Sequence, residues 1–124
     1  MPFDPERTTH CFDALADGGL QQVVDEDPAD AAQIALIRSH LQAEAAKIQR
    51  GDFGDPSAIH GAAMPGLAEL RAGAAQLAVV YAALPDGAQI RYTTSDPALV
   101  AALHAWFNAQ LSDHGGHAIE HGAP

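Results

Sequence analysis

The sequence predicts an α+β fold: two ββα repeats forming a four-stranded antiparallel sheet, with two helices on one face and a pseudo-twofold axis between the repeats. Three observations carry this reading. The chain repeats internally, each copy has a two-residue alternation on both sides of an Asp-Gly pair, and each copy continues into a helical stripe. Residues 10–29, HCFDALADGGLQQVVDEDPA, align without a gap over residues 79–98, VVYAALPDGAQIRYTTSDPA. The copies share Ala14/Ala83, Leu15/Leu84, Asp17/Asp86, Gly18/Gly87, Asp27/Asp96, Pro28/Pro97 and Ala29/Ala98.

Asp-Gly between apolar alternations predicts a hairpin in each copy, because glycine supplies the positive φ that a tight turn needs. Asp27 and Asp96 are placed to cap the helix that follows, with Pro28 and Pro97 in its first turn. The helices then match after a three-residue insertion in the first. Ile34, Ile37, Leu41, Ala45 and Ile48 make one stripe, and Val100, Leu103, Phe107 and Leu111 make the other. Both follow the spacing of a buried helix face.

The whole chain, 1–124, is expected to be a single domain. Repeat 1 covers about 8–50 and repeat 2 about 77–114. A connecting segment, 51–76, carries Gly51, Gly54 and Pro56, then a short helix from Pro65 to Arg71 that ends at Gly73. The Gly-rich end, 115–124, reads as a flexible tail.

Composition narrows the function. A formal charge of −10 with six Lys and Arg argues against nucleic acid and anionic membrane surfaces, and suits the gathering of cations. The single cysteine, Cys11, excludes an internal disulfide and reads as a buried, inert thiol. No stretch approaches the roughly 20 apolar residues of a membrane span. MPFDPERTTH has neither the basic nor the apolar region of a signal peptide. A cytoplasmic place is expected if Met1 is the natural start, and periplasm or cell envelope if it is not.

Seven histidines in an acidic chain with one lysine point toward a metal. Neutral imidazole is the commonest transition-metal ligand, and a nearby thioether narrows the choice to copper or haem iron. His10 aligns with Val79, and alternation puts it on the face of Phe12, inward. Such a histidine is a hydrogen-bonded core residue, a ligand or simply exposed. His104 aligns with Arg38 and lies at the edge of the buried arc of its helix, a position for a ligand or a pocket residue. His114 falls in the same arc, where the negative end of the helix dipole also favours histidine. His60-Gly-Ala-Ala-Met64 is the sharpest pair, since one helical turn would bring the two side chains to a shared ion, while Gly61 and Pro65 equally suit an irregular loop that packs Met64 into the core.

Two other patterns read blandly. His117-Ala-Ile-Glu120-His121 matches the string of inverted zinc peptidases. It stands three residues from the end, next to Gly115 and Gly116, and at most scavenges metal. Asp25, Glu26, Asp27 and Asp30 read as capping and dipole complementarity at a helix start.

The elements TTHCF, GDFGDPSAIHGAAMPGL and ALHAWFNAQLSDHG resemble a group of small bacterial proteins often labelled aspartate carbamoyltransferase. The resemblance covers nearly the whole chain. The positions matching its recurrent motifs are His10, His60, Met64, His104, Asp113 and His114. Members often carry extra N-terminal sequence of export type, which implies an envelope location. The group brings no established activity. The label's own chemistry is not expected, since the two α/β domains, the Ser-Thr-Arg-Thr-like phosphate loop and the His-Pro-x-Gln element of a true transcarbamoylase are missing.

The functional expectation is a small protein that holds or hands on a transition-metal ion, copper first, through His60 and Met64 with His10 or His104, and with His114 as a further candidate ligand. The first alternative is haem binding, with a histidine as axial ligand and Trp106, Phe107 and Leu111 lining the pocket. The second is a non-catalytic interaction module that forms a homodimer through its open sheet face. An enzyme is the lesser expectation; it would use His104 and Asp113 as a base pair.

Overall fold

The computed structural model describes residues 7–51, 66–114 and 118–119. The elements run β1 (Thr8–Leu15), β2 (Gly18–Asp25), α1 (Ala31–Gln49), α2 (Leu67–Ala72), a 3-10 turn (Ala74–Gln76), β3 (Ala78–Leu84), β4 (Gly87–Thr93), α3 (Pro97–His114) and β5 (Ala118–Ile119). The chain is therefore α+β, with a four-stranded antiparallel sheet made of β1 to β4. The spatial order is β3-β4-β2-β1-β5. The two hairpins join through their second strands, with Gln21 opposite Ile90 at the middle of the β2–β4 pairing.

Two local expectations are corrected, the place of the hairpin turns and the start of α1. The two-residue turns are Ala16-Asp17 and Pro85-Asp86, because Leu15 pairs with Gly18 and Leu84 with Gly87. Gly18 and Gly87 thus open β2 and β4 instead of forming the turns. Their missing side chains serve the β2–β4 junction: a Cβ would fall 1.9 Å from the Tyr92 carbonyl oxygen at Gly18 and 1.9 Å from that of Val23 at Gly87. Asp27-Pro28 does not start α1. Asp27 accepts from the Ala29 amide in a tight turn, and Asp30 is the cap, accepting from the Gln33 amide. Asp-Pro does open α3, where the Val100 amide donates to the Asp96 carbonyl.

The expected fold had two helices and four strands. Besides these, α2 is the short helix expected in the connecting segment, running Leu67–Ala72 where Pro65 to Arg71 was expected, with Gly73 as its C-cap. β5 is an added strand, parallel to β1, with Ala118 opposite His10 and Ile119 opposite Cys11. Part of the expected tail is thereby tied to the sheet.

α1 lies over β3 and β4, and α3 over β1 and β2, so each helix covers the hairpin of the other half. Both face one core that includes Phe12, Val23, Ile37, Leu41, Ile90 and Phe107. The α1 stripe is buried as its spacing predicts. The α3 stripe is rotated: Leu99, Ala102, Leu103, Trp106 and Phe107 are buried, while Val100 and Leu111 are half-buried. The rotation has a cause in α2, which packs against α3 and gives it a second covered side. That contact is close enough that a Cβ at Gly66 would sit 2.1 Å from the Ala102 carbonyl oxygen. Among the described residues, no helix is long and apolar enough to cross a membrane.

Candidate functional site

His104 stands on α3 where the helix crosses the turn end of the first hairpin. Its Nε2 lies 2.8 Å from the Leu15 carbonyl oxygen and 2.9 Å from that of Gly18. Both partners can only accept, so Nε2 carries the proton and donates to both. A nitrogen bearing hydrogen has no lone pair for a metal, which leaves Nδ1 as the one atom His104 could offer an ion. Arg38 on α1 does the same to the other hairpin. Its guanidinium donates to the carbonyl oxygens of Leu84 at 2.6 Å and Gly87 at 3.2 Å. His104 and Arg38 are positions the sequence alignment sets over one another. Leu15 and Gly18 stand likewise over Leu84 and Gly87. The signal was present in the alignment, but it pointed to fastening rather than to a site.

His10 is 3% exposed and lies on the helix-covered face, as alternation predicts. Its ring stacks beside Phe12, centroids 6.3 Å apart and 12° between planes. Val23 on β2 and Ala118 on β5 flank it across the sheet. Leu15, which His104 holds, is five residues further along β1, roughly 16 Å at the rise of an extended strand. The hydrogen bonds thus hold the His104 ring at the turn end of β1, away from His10.

His60 and Met64 lie outside the described residues, as do His117, Glu120 and His121. Asp113 and His114 close α3, and their side chains are outside the described set. Among the described residues, no group of three or more His, Cys, Asp and Glu is placed to hold a metal ion.

The residues proposed to line a haem are engaged in the core. Trp106 and Phe107 are each 1% exposed. Tyr92 meets Trp106 edge-on at 6.1 Å and Phe107 at 5.7 Å, and Phe12 meets Phe107 at 5.4 Å. Leu111 packs at the rim of the same cluster. The Tyr92 hydroxyl donates to Gln21 Oε1 at 2.8 Å. Burial, and secondarily the charge of Glu44, raises its ionisation well above the ordinary phenol range.

Cys11 points to the opposite sheet face and is 2% exposed. Burial first, and the charge of Asp13 second, push its thiol up to about 11. It remains protonated near neutrality and is a poor nucleophile. The acidic cluster after β2 is spent on structure. Asp25 accepts from the Asp27 amide at 2.8 Å and from Gln33 Nε2 at 3.2 Å, while Asp30 caps α1 and pairs with Arg7. A shallow, open depression lies between Ala16-Asp17 and the start of α3, lined by Thr94, Ser95, Pro97 and Val100. Its carboxylate, Asp17, pairs with Arg91 at 2.9 Å.

No family model, no curated protein and no solved structure matches the chain.

Proposed function

We propose that this chain is a non-catalytic binding module that holds a transition-metal ion, copper first, and that it is built as two ββα repeats about a pseudo-twofold axis. The repeat reading is supported by the β2–β4 register. Gln21 faces Ile90, its own counterpart in the alignment, and Gly18–Thr93 is the counterpart of Val24–Gly87. It is further supported by the crossed fastening of the two hairpins by His104 and Arg38.

The metal reading rests on one observation: a deeply buried imidazole, His10, occupies a position where the other copy has Val79, on the helix-covered sheet face beside Phe12 and Val23. A buried imidazole on a paired strand is held in a fixed place, from which a ring nitrogen can serve as a ligand. β5 runs beside His10 four residues after His114 ends α3, so the ligand set we propose is His10 and His114 with His60 and Met64. His104 is left out because its Nε2 is a donor to the hairpin. The engagement of Trp106 and Phe107 with Tyr92 and Phe12 favours a bare ion over haem. The role is to hold or pass on the ion.

Titration of tag-free, metal-stripped protein with Cu(I) against a chromophoric chelator tests this. One tightly held ion per chain, lost in His60→Ala and weakened in His10→Val, is the expected result. Binding that survives both substitutions and disappears with residues 115–124 overturns the site.

A further inference from the structure

We infer that the outer edge of β3 is a self-association surface on which a second copy of this chain adds its own β3 antiparallel. Among the described residues, β3 ends the sheet on one side, whereas the opposite side is extended by β5. Its sequence, AVVYAAL, has no charge, no proline and no glycine, so it lacks the devices that usually blunt an edge strand.

The direction of its backbone groups is fixed by one contact. The Val79 amide donates to Gln49 Oε1 at 3.0 Å, while Gln49 Nε2 donates to the Leu77 carbonyl at 2.8 Å. Val79 therefore turns its polar groups away from β4, and Tyr81 and Ala83, on the same alternation, do so too. The Gln49 amide stands in for a strand peptide at the start of the edge, and Pro85 closes it at the other end. Between them the N–H and C=O of Tyr81 and Ala83 have no hydrogen-bond partner among the described residues.

These four groups are self-complementary. With Ala82 opposite Ala82 of a second copy, Tyr81 meets Ala83 of the other chain twice, which gives four main-chain hydrogen bonds. The same register sets Val80 against Leu84 on the uncovered face. Val80 is 57% exposed in the single chain, and this pairing covers it.

Charge selects the occupant. At −10, two copies repel wherever carboxylates meet. The α1 stripe above β3 runs Arg38, Gln42, Ala45, Gln49 and holds no carboxylate. With its neutral strand it is a surface that a like-charged copy can approach, whereas a basic peptide would be drawn to the acidic turns.

Sedimentation equilibrium of the full chain in EDTA, over a concentration series up to several hundred micromolar, tests the inference without any contribution from metal. A reversible dimer is expected. Val80→Lys, at a solvent-exposed position, and Ala83→Pro, which deletes one outward N–H, should each weaken it at least tenfold with unchanged circular dichroism. A chain that stays monomeric throughout overturns the inference. So does a dimer indifferent to Val80→Lys.

Discussion

The Nε2 of His104 lies 2.9 Å from the carbonyl oxygen of Gly18, and this one contact ties the middle of α3 to the first residue of β2. With the second bond to Leu15 it fastens the turn end of the first hairpin against the helix that covers it. A side chain first noted for its ligand chemistry thus acts as a clamp between halves of the chain distant in sequence.

The clamp should be measurable as stability. His104→Ala is expected to cost about 1–2 kcal/mol, because one shared donor to two half-buried carbonyls is lost and water replaces part of it. Arg38→Ala should cost a similar amount at the other hairpin. The two fasten different turns, so the double variant should be additive within about 0.5 kcal/mol. Urea denaturation checks all three. A loss in His104→Ala of the copper-induced rise in melting temperature would instead restore His104 as a ligand.

Copper should stabilise the fold through binding to the folded state alone, by about 2.7 kcal/mol at a hundredfold excess over Kd. His60→Ala and Met64→Leu are expected to reduce that gain while leaving the metal-free melting point nearly unchanged. Deleting residues 115–124 should remove only a minor part. The gain should fall below about pH 6, where protonated imidazoles cannot coordinate. Differential scanning calorimetry with and without copper decides the matter.

His10→Val replaces the buried imidazole with the residue its aligned position carries. In metal-free protein, a change within about 1 kcal/mol is expected, since valine is the residue that the aligned position of the other half carries. A large loss would mean that His10 is a hydrogen-bonded core residue and nothing more.

Alkaline pH should destabilise the chain in two stages. Cys11 has its pKa raised in the folded state from 9.0 to about 11, so its contribution is complete below about pH 9 and disappears as pH rises to 11. Tyr92, raised from 10.0, adds a second loss that starts near pH 10. The sign follows from the unfolded chain releasing protons that the folded chain retains. Cys11→Ala should remove the first stage and leave the second, as read from urea midpoints between pH 8 and 11.

Backbone approach at the junction of the hairpins predicts severe effects from the smallest substitution. Gly87→Ala would push a methyl to 1.9 Å from the Val23 carbonyl oxygen, and Gly19→Ala to 2.5 Å from the Phe107 ring. Overpacking of this kind costs about 1–3 kcal/mol or more. Gly19→Ala should be the milder of the two, since a ring edge can yield and a paired strand cannot. Thermal melting of both variants gives the comparison.

The order of the elements, the hairpins, the α1 stripe and the inward turn of His10 were legible in the sequence. All depend on local periodicity, which the chain carries in residues two, three or four apart. Asp30 rather than Asp27 as the cap of α1 was not legible, since both are acidic and only the Asp27–Ala29 turn separates them. Nor was the role of Gly18 and Gly87, which answers to a strand some 70 positions away. What the tertiary structure decided was the crossing of each helix onto the other half's hairpin. That crossing made His104 a donor to Leu15 and Gly18, filled the ring space around Trp106 and Phe107, and rotated α3 toward α2. The reason is physical. Periodicity states which side of an element is apolar, but the partner that covers it is chosen by long-range packing, and a histidine's chemistry follows from the atoms that packing brings within 3 Å.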